Sequence, residues 1–264
     1  MFFHGYPLEE IFVYIEEIGF EGMEFWMETP HFWIRNCPLP ELMRMTGEHP
    51  ELVLNVHAPV LDLNPCSINP RVAEISRQYV VEALNLGEEI GAEVVTVHPG
   101  RRTVKRIPAR QEYERFELFL DTLREAAKKK RVCVSMENME HSVNSLISTP
   151  ELMRELLDTE SWLGFTLDTS HALTRSPEEV DRYIDLCGDR LVMVHLSYAE
   201  HGRAHLPLYG RYGGRAILQK LRDCGYRGPL CLEIEDRNFS HDLSLEERIT
   251  LLMRDLAYTR ESWG

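Results

Sequence analysis

The sequence predicts a (β/α)8 barrel, and three observations carry that expectation. Short apolar runs rich in Val, Ile and Phe recur along the 264 residues with helical segments between them, the pattern of βα units on a parallel sheet. His57, His98, Glu137, Asp168, His195 and Glu233 each stand at or near the C-terminal end of a different run, and a barrel gathers its chemistry at those ends. No glycine fingerprint follows an early strand, which weighs against a doubly wound sheet.

In chain order, Met1-Phe2-Phe3 is a candidate first strand, clipped to its shortest form. Leu8, Ile11, Phe12, Ile15 and Ile18 then recur at helical spacing, and Gly19 follows as a stop. Strands are expected at Gly22–Trp26, Leu52–His57, Val94–His98, Val132–Asn138, Gly164–Asp168, Leu191–Leu196 and Leu230–Ile234. Asn69-Pro70 is an N-cap followed by Pro at the first helical position, opening a helix to about Gly91. Ser148-Thr149-Pro150-Glu151 and Ser176-Pro177-Glu178-Glu179 begin two more. A last helix from Ser244 to about Trp263 carries the stripe Leu245, Ile249, Leu252 and Leu256. No Gly/Ser linker or low-complexity tract interrupts the alternation, so one domain over residues 1–264 is expected.

Composition narrows the class of protein. Hydrophobic residues at 44% and charged residues at 27% exclude a disordered or fibrous chain. No apolar run is long enough to span a bilayer, and the first residues lack the basic start of a signal peptide, so the expected location is cytoplasmic, without membrane partners. The six cysteines form no CxxC pair, which argues against a zinc knuckle or a disulfide framework. The net charge of −14 opposes general affinity for nucleic acid, although bound metals and a local basic loop can reverse that locally.

Each of the six strand-end residues has an ordinary explanation when taken alone. His57 and His98 suit hydrogen-bonded rim positions, and Asp168 with His171 suits an N-cap and helix start. Together they do not. Three carboxylates and three imidazoles at one barrel mouth repel one another or stay unsatisfied without a divalent cation. Mixed Asp, Glu and His ligation suits Mn²⁺, Zn²⁺ or Fe²⁺ better than Ca²⁺.

The series Asn55-Val56-His57-Ala58-Pro59, Thr96-Val97-His98-Pro99-Gly100, Ser135-Met136-Glu137-Asn138, Leu167-Asp168-Thr169-Ser170-His171, Val194-His195-Leu196 and Leu232-Glu233-Ile234 resembles the xylose isomerase-like barrel superfamily. That group holds sugar and sugar-phosphate isomerases and epimerases and also the endonuclease IV family. The resemblance implies, for the epimerase branch, one divalent ion on Glu137, Asp168, His195 and Glu233, with the two glutamates moving the substrate proton. His171 then resembles a ligand for a substrate hydroxyl, and Glu24 a sugar contact. For the nuclease branch it implies up to three zinc ions: His57, His98 and Glu137 for the first, and the same quartet for the second. The third would take His171 and His205, but Arg203 stands where that branch has an Asp.

The loop after His98 carries Arg101, Arg102, Lys105, Arg106 and Arg110, either a phosphate clamp or a solvated loop. Trp26 opens an aromatic stretch to Trp33 that could close over a sugar ring, wedge into a base stack or cover the mouth. Trp26, Arg101, Arg102 and Arg203 are accordingly candidate substrate contacts. The acidic charge and Arg203 favour a metal-dependent isomerase or epimerase on a small sugar or sugar phosphate. His57 and His98 favour the alternative, a multinuclear phosphoesterase whose substrate could be nucleic acid. A barrel that binds a ligand without turning it over is opposed by the intact quartet.

Overall fold

The computed structural model describes residues 2–264. Its strands are β1 (Gly22–Trp26), β2 (Val53–His57), β3 (Val94–Val97), β4 (Cys133–Glu137), β5 (Gly164–Asp168) and β6 (Leu191–Leu196), then β7 (Tyr198–Glu200), β8 (Arg203–Leu206) and β9 (Leu230–Leu232). All but β7 and β8 form one parallel sheet in the order β1-β2-β3-β4-β5-β6-β9. That sheet is the wall of a nearly closed barrel of the (β/α)8 class. β7 and β8 pair antiparallel as a hairpin projecting from the end of β6.

The helices are α1 (Leu8–Ile18), α2 (Pro30–Trp33), α3 (Leu39–Glu48), α4 (Pro70–Ile90), α5 (Arg110–Ala127), α6 (Pro150–Thr159), α7 (Thr169–Leu173), α8 (Pro177–Cys187), α9 (Gly214–Asp223) and α10 (Leu245–Trp263). Their starts follow the expected chemistry. Asn69 accepts from the Arg71 N–H, Thr149 from the Leu152 N–H, and Ser244 forms a reciprocal capping box with Glu247. α4 rides close on the sheet at Gly87, where a Cβ would come within 2.6 Å of Val95 Cγ2. Strands β3 and β5 are buried along their whole length, as expected of parallel strands covered on both faces.

The clipped first strand is a correction. Met1 lies outside the described residues, and residues 2–5 form a turn, with Tyr6 N–H bonded to Phe3 O. Gly5 and Pro7 explain the outcome, since both interrupt strand pairing and favour turns. Phe2 and Phe3 instead plug the gap between β9 and β1, packed with Ile18, Ile234 and Leu252. Arg248 donates to Phe2 O at 2.6 Å and holds the plug in place. Among the described residues no helix is long and apolar enough to cross a membrane, and the cysteines are unbridged.

Candidate metal centre

Because the strands run parallel, every strand end opens on one rim. Glu137 and Asp168 close β4 and β5, His57 closes β2, His195 lies on β6, and His98 and Glu233 follow β3 and β9 directly. Asp168 and His195 are register partners. All six expected residues meet there, and their donor atoms fall into overlapping groups.

His57, His98 and Glu137 form one group, and Glu137, Asp168, His195 and Glu233 a second, each with its donor atoms within 4.8 Å of one another. Glu137 belongs to both. Its Oε2 lies 3.3 Å from His57 Nε2 and 3.0 Å from His98 Nε2, while Oε1 lies 3.1 Å from His171 Nδ1. The His57 Nδ1–H donates to Ala58 O at 2.7 Å, which leaves Nε2 to face the carboxylate. Asp168 divides its two oxygens. Oδ1 caps α7 by accepting from the His171 N–H and the Ser170 hydroxyl, and Oδ2 is left without a hydrogen-bond partner. The N-cap and the ligand readings of Asp168 are therefore both accommodated by one side chain.

The electrostatics describe a site short of positive charge. Burial opposes ionisation of Glu137 and Glu233, yet the surrounding imidazoles, His98 and His195 for Glu137 and His195 and His205 for Glu233, hold both well below the usual carboxylate range. Burial pushes Asp168 up to about 6, against the pull of His171 and His205. Burial pulls His171 and His195 down, but the facing carboxylates outweigh it, raising His195 well above its ordinary value and His171 to about 10. His98 is lowered, burial being the largest cause, and so keeps a free lone pair. Protons on histidines thus hold the carboxylates together, and a dication does the same work when it displaces them.

The residues fit such an ion. Asp168 Oδ2, Glu233 Oε2 and His195 Nδ1 are buried without aligned hydrogen-bond partners, which is costly unless something else coordinates them. Two oxygen donors, a bridging glutamate and one imidazole form a set suited to Mn²⁺ or Zn²⁺.

Other expected contacts divide. Trp26 is the register partner of His57 and stands beside the mouth. Glu24 points into the barrel beneath the rim. It accepts from Thr96 Oγ1 at 2.5 Å and lies 2.6 Å from His195 Nε2, so both of its oxygens are engaged within the barrel. Arg102 is folded back onto Ile107 O and Glu112, and Arg110 pairs with Glu114. Arg101, Lys105, Arg106 and Arg110 remain exposed, Arg110 in a solvent-side pair with Glu114. The stretch from Trp26 to Trp33 is a packed element: Phe32 meets Phe25 edge-on, and Trp33 lies against Tyr79. Arg203 is exposed and leans on Asn238 O.

Glu140 was not expected at the site. It joins His171 and His205 in a third group with donor atoms within 4.8 Å of one another. Its only signal in the sequence is its place three residues after Glu137, which an exposed loop carboxylate shares with many others.

The xylose isomerase-like TIM barrel profile matches residues 12–261. An uncharacterized protein of Methanocaldococcus jannaschii, MJ1188, is 30% identical over 261 residues, covering 98% of this chain and 95% of that one. A crystal structure described as a D-tagatose 3-epimerase-like protein is 25% identical, with a TM-score of 0.74 over 95% of this chain and 93% of the other. A protein of Akkermansia muciniphila named "Probable endonuclease 4" is 29% identical over 133 residues, 49% of this chain and 46% of that one. With the barrel, the strand-end cluster of carboxylates and histidines and a profile match across nearly its whole length, this chain belongs to the xylose isomerase-like TIM barrel family.

Proposed function

We propose that the protein is a divalent-metal-dependent isomerase or epimerase acting on a sugar or sugar phosphate. The observation that carries this reading is the quartet itself: two ionised glutamates flank His195, with Glu233 Oε2 at 2.9 Å and Glu137 Oε2 at 3.6 Å from its Nδ1. A divalent ion held by Glu137, Asp168, His195 and Glu233 would polarise a carbonyl and the adjacent hydroxyl, acidifying the C–H between them. Glu233, the more exposed of the two glutamates, takes or returns that proton from one side of the substrate. Glu137 serves the opposite side, and the proton's return on the other face inverts the centre. In this reading His171 orients a substrate hydroxyl. Trp26 at the rim shields the site from water. The resemblance to a D-tagatose 3-epimerase-like structure supports a sugar substrate.

A second reading, hydrolysis of a phosphoester by a multinuclear centre, is favoured by one observation. His57 and His98 both aim Nε2 at Glu137 Oε2, and a one-ion isomerase does not need them. Two substitutions separate the readings. Glu233→Gln should retain bound metal and abolish deuterium incorporation from ²H₂O across a panel of ketoses and their phosphates, while His57→Ala keeps most of it. Phosphodiesterase activity lost in His57→Ala, with no deuterium exchange in the wild type, would overturn the isomerase reading.

A further inference from the structure

The last ladder pair between β4 and β5 joins Glu137 to Thr166. Asp168 lies two residues further along β5, and the N–H and C=O that it turns toward β4 have no strand backbone opposite them. The side chain of Asn138 stands there instead. Its Oδ1 accepts from the Asp168 N–H at 2.8 Å, and its Nδ2 donates to Asp168 O at 2.9 Å. The carboxamide completes one more rung of the ladder by standing in for a backbone residue. Both residues are wholly buried, where an unpaired backbone group is costly.

We propose that Asn138 is a positioning residue for the quartet, setting where the Asp168 carboxylate stands and so how tightly the site holds its divalent ion. The inference rests on the metal-binding part of the proposed function and holds whichever reaction the quartet performs. Asp168 needs such a hold because the chain changes direction there. It ends β5 with φ of −86° and ψ of 113° and is the N-cap of α7. Oδ1 is committed to that cap, accepting from the His171 N–H at 2.6 Å and the Ser170 hydroxyl at 3.0 Å. Asn138 pins the peptide groups on either side of the Asp168 Cα, and the helix start pins Oδ1. Together they fix the direction of Oδ2, the oxygen left without a hydrogen-bond partner. Partners behind a ligand commonly set its orientation and the affinity of the site in this way.

The backbone of Asn138 ties two more members of the site to the same point. Its N–H follows Glu137 directly and bonds to Thr166 O at 3.4 Å, and its carbonyl accepts from His171 Nδ1–H at 2.9 Å. Glu137, Asp168 and His171 come from β4, β5 and α7, and one residue adjoins all three. The residue type follows from the geometry. A carboxamide of this length presents one donor and one acceptor side by side to a peptide C=O and N–H. An ionised aspartate would set two acceptors against Asp168 O, glutamine would force a methylene into a packed site, and leucine would leave both backbone groups unpaired.

The test reads metal affinity and ligand geometry, not turnover. Full-length protein is stripped and titrated calorimetrically with Mn²⁺, and the bound Mn²⁺ is examined by electron paramagnetic resonance, well below the melting temperature of every variant. Asn138→Leu and the smaller change Asn138→Ser should each weaken Mn²⁺ binding by about 10–100-fold and alter the resonance line shape. Asp255→Ala removes a buried partner from the Tyr209 N–H, outside the quartet. It should keep the wild-type affinity and line shape even where it melts as early as the Asn138 variants. A folded Asn138 variant within about twofold of wild-type affinity and with the wild-type line shape overturns the proposal. So does an Asp255→Ala protein that loses as much affinity, which would reduce the effect of Asn138 to general stability. Wild-type protein that takes up no Mn²⁺ would overturn the proposed function as well, whereas tight wild-type binding with unaltered Asn138 variants overturns this inference alone.

Discussion

Replacing Glu24 with Gln tests whether the buried carboxylate beneath the rim sets the strength of the metal site. The substitution keeps side-chain volume and an oxygen for Thr96, and removes one negative charge 2.6 Å from His195 Nε2. At an effective dielectric constant near 20, two unit charges at that distance attract by about 6 kcal/mol gross, and desolvation of the buried carboxylate offsets most of it. What survives is the usual worth of a carboxylate behind a metal-ligating histidine, about 10–100-fold in affinity, or roughly 1.4–2.8 kcal/mol. Calorimetric titration of stripped Glu24→Gln with Mn²⁺ or Zn²⁺ should show that loss at pH 8.5. The gap should narrow at pH 6.5. Burial lowers the His195 proton affinity, but Glu24 leads the charges that raise it, so wild type must expel a proton there that the variant no longer holds. A folded Glu24→Gln protein that binds metal within about twofold of wild type at both pH values would refute the bracing role. An equal loss at both would mark a merely structural disturbance.

The stripped protein should also lose stability as pH rises. The folded-state value of His171 is raised to about 10 from 6.5, so its contribution is complete below about pH 6.5 and disappears as pH climbs towards 10. Thermal melts of stripped protein over that window should decline, and metal-loaded protein should decline less, because the dication replaces the proton. A second prediction concerns the loop after β8. Asp255, fully buried on α10 and pushed up to about 6 by burial, accepts from Tyr209 N–H at 2.7 Å. Asp255→Ala leaves that donor unpartnered at a cost of about 1–3 kcal/mol, and each kcal/mol lowers Tm by roughly 2–4 °C. A melting temperature unchanged from wild type would show that the clamp contributes nothing.

The barrel was legible because its signal is local. Buried parallel strands such as Val94–Val97 and Gly164–Asp168 must be apolar runs, helix starts such as Asn69-Pro70 carry their own capping chemistry, and strand ends converge by topology alone. The cluster at the rim was legible for the same reason, since a polar residue ending an apolar run has little else to explain it. Failures occurred where the outcome depends on contacts between distant segments. Met1-Phe2-Phe3 looks like a strand until Ile234, Leu243 and Leu252 are seen to need a plug more than the sheet needs an edge. Arg102 looks free until its guanidinium meets Glu112 of α5.

Glu24 and Glu140 differ in how far their sequence positions fix their place, and the difference follows from geometry. Glu24 lies inside a strand, where the side-chain period of two fixes it on the inner face of the barrel. Its position in β1 places it below the rim, where Thr96 Oγ1 and the His195 ring are its partners. Glu140 lies beyond its strand, in a loop whose direction no periodicity sets, and only the ties through Asn144 and Ser145 aim it at the histidines. A carboxylate within a barrel strand is thus suited to tune a ligand from behind. One in a loop has no such register and depends on tethers of this kind for its direction.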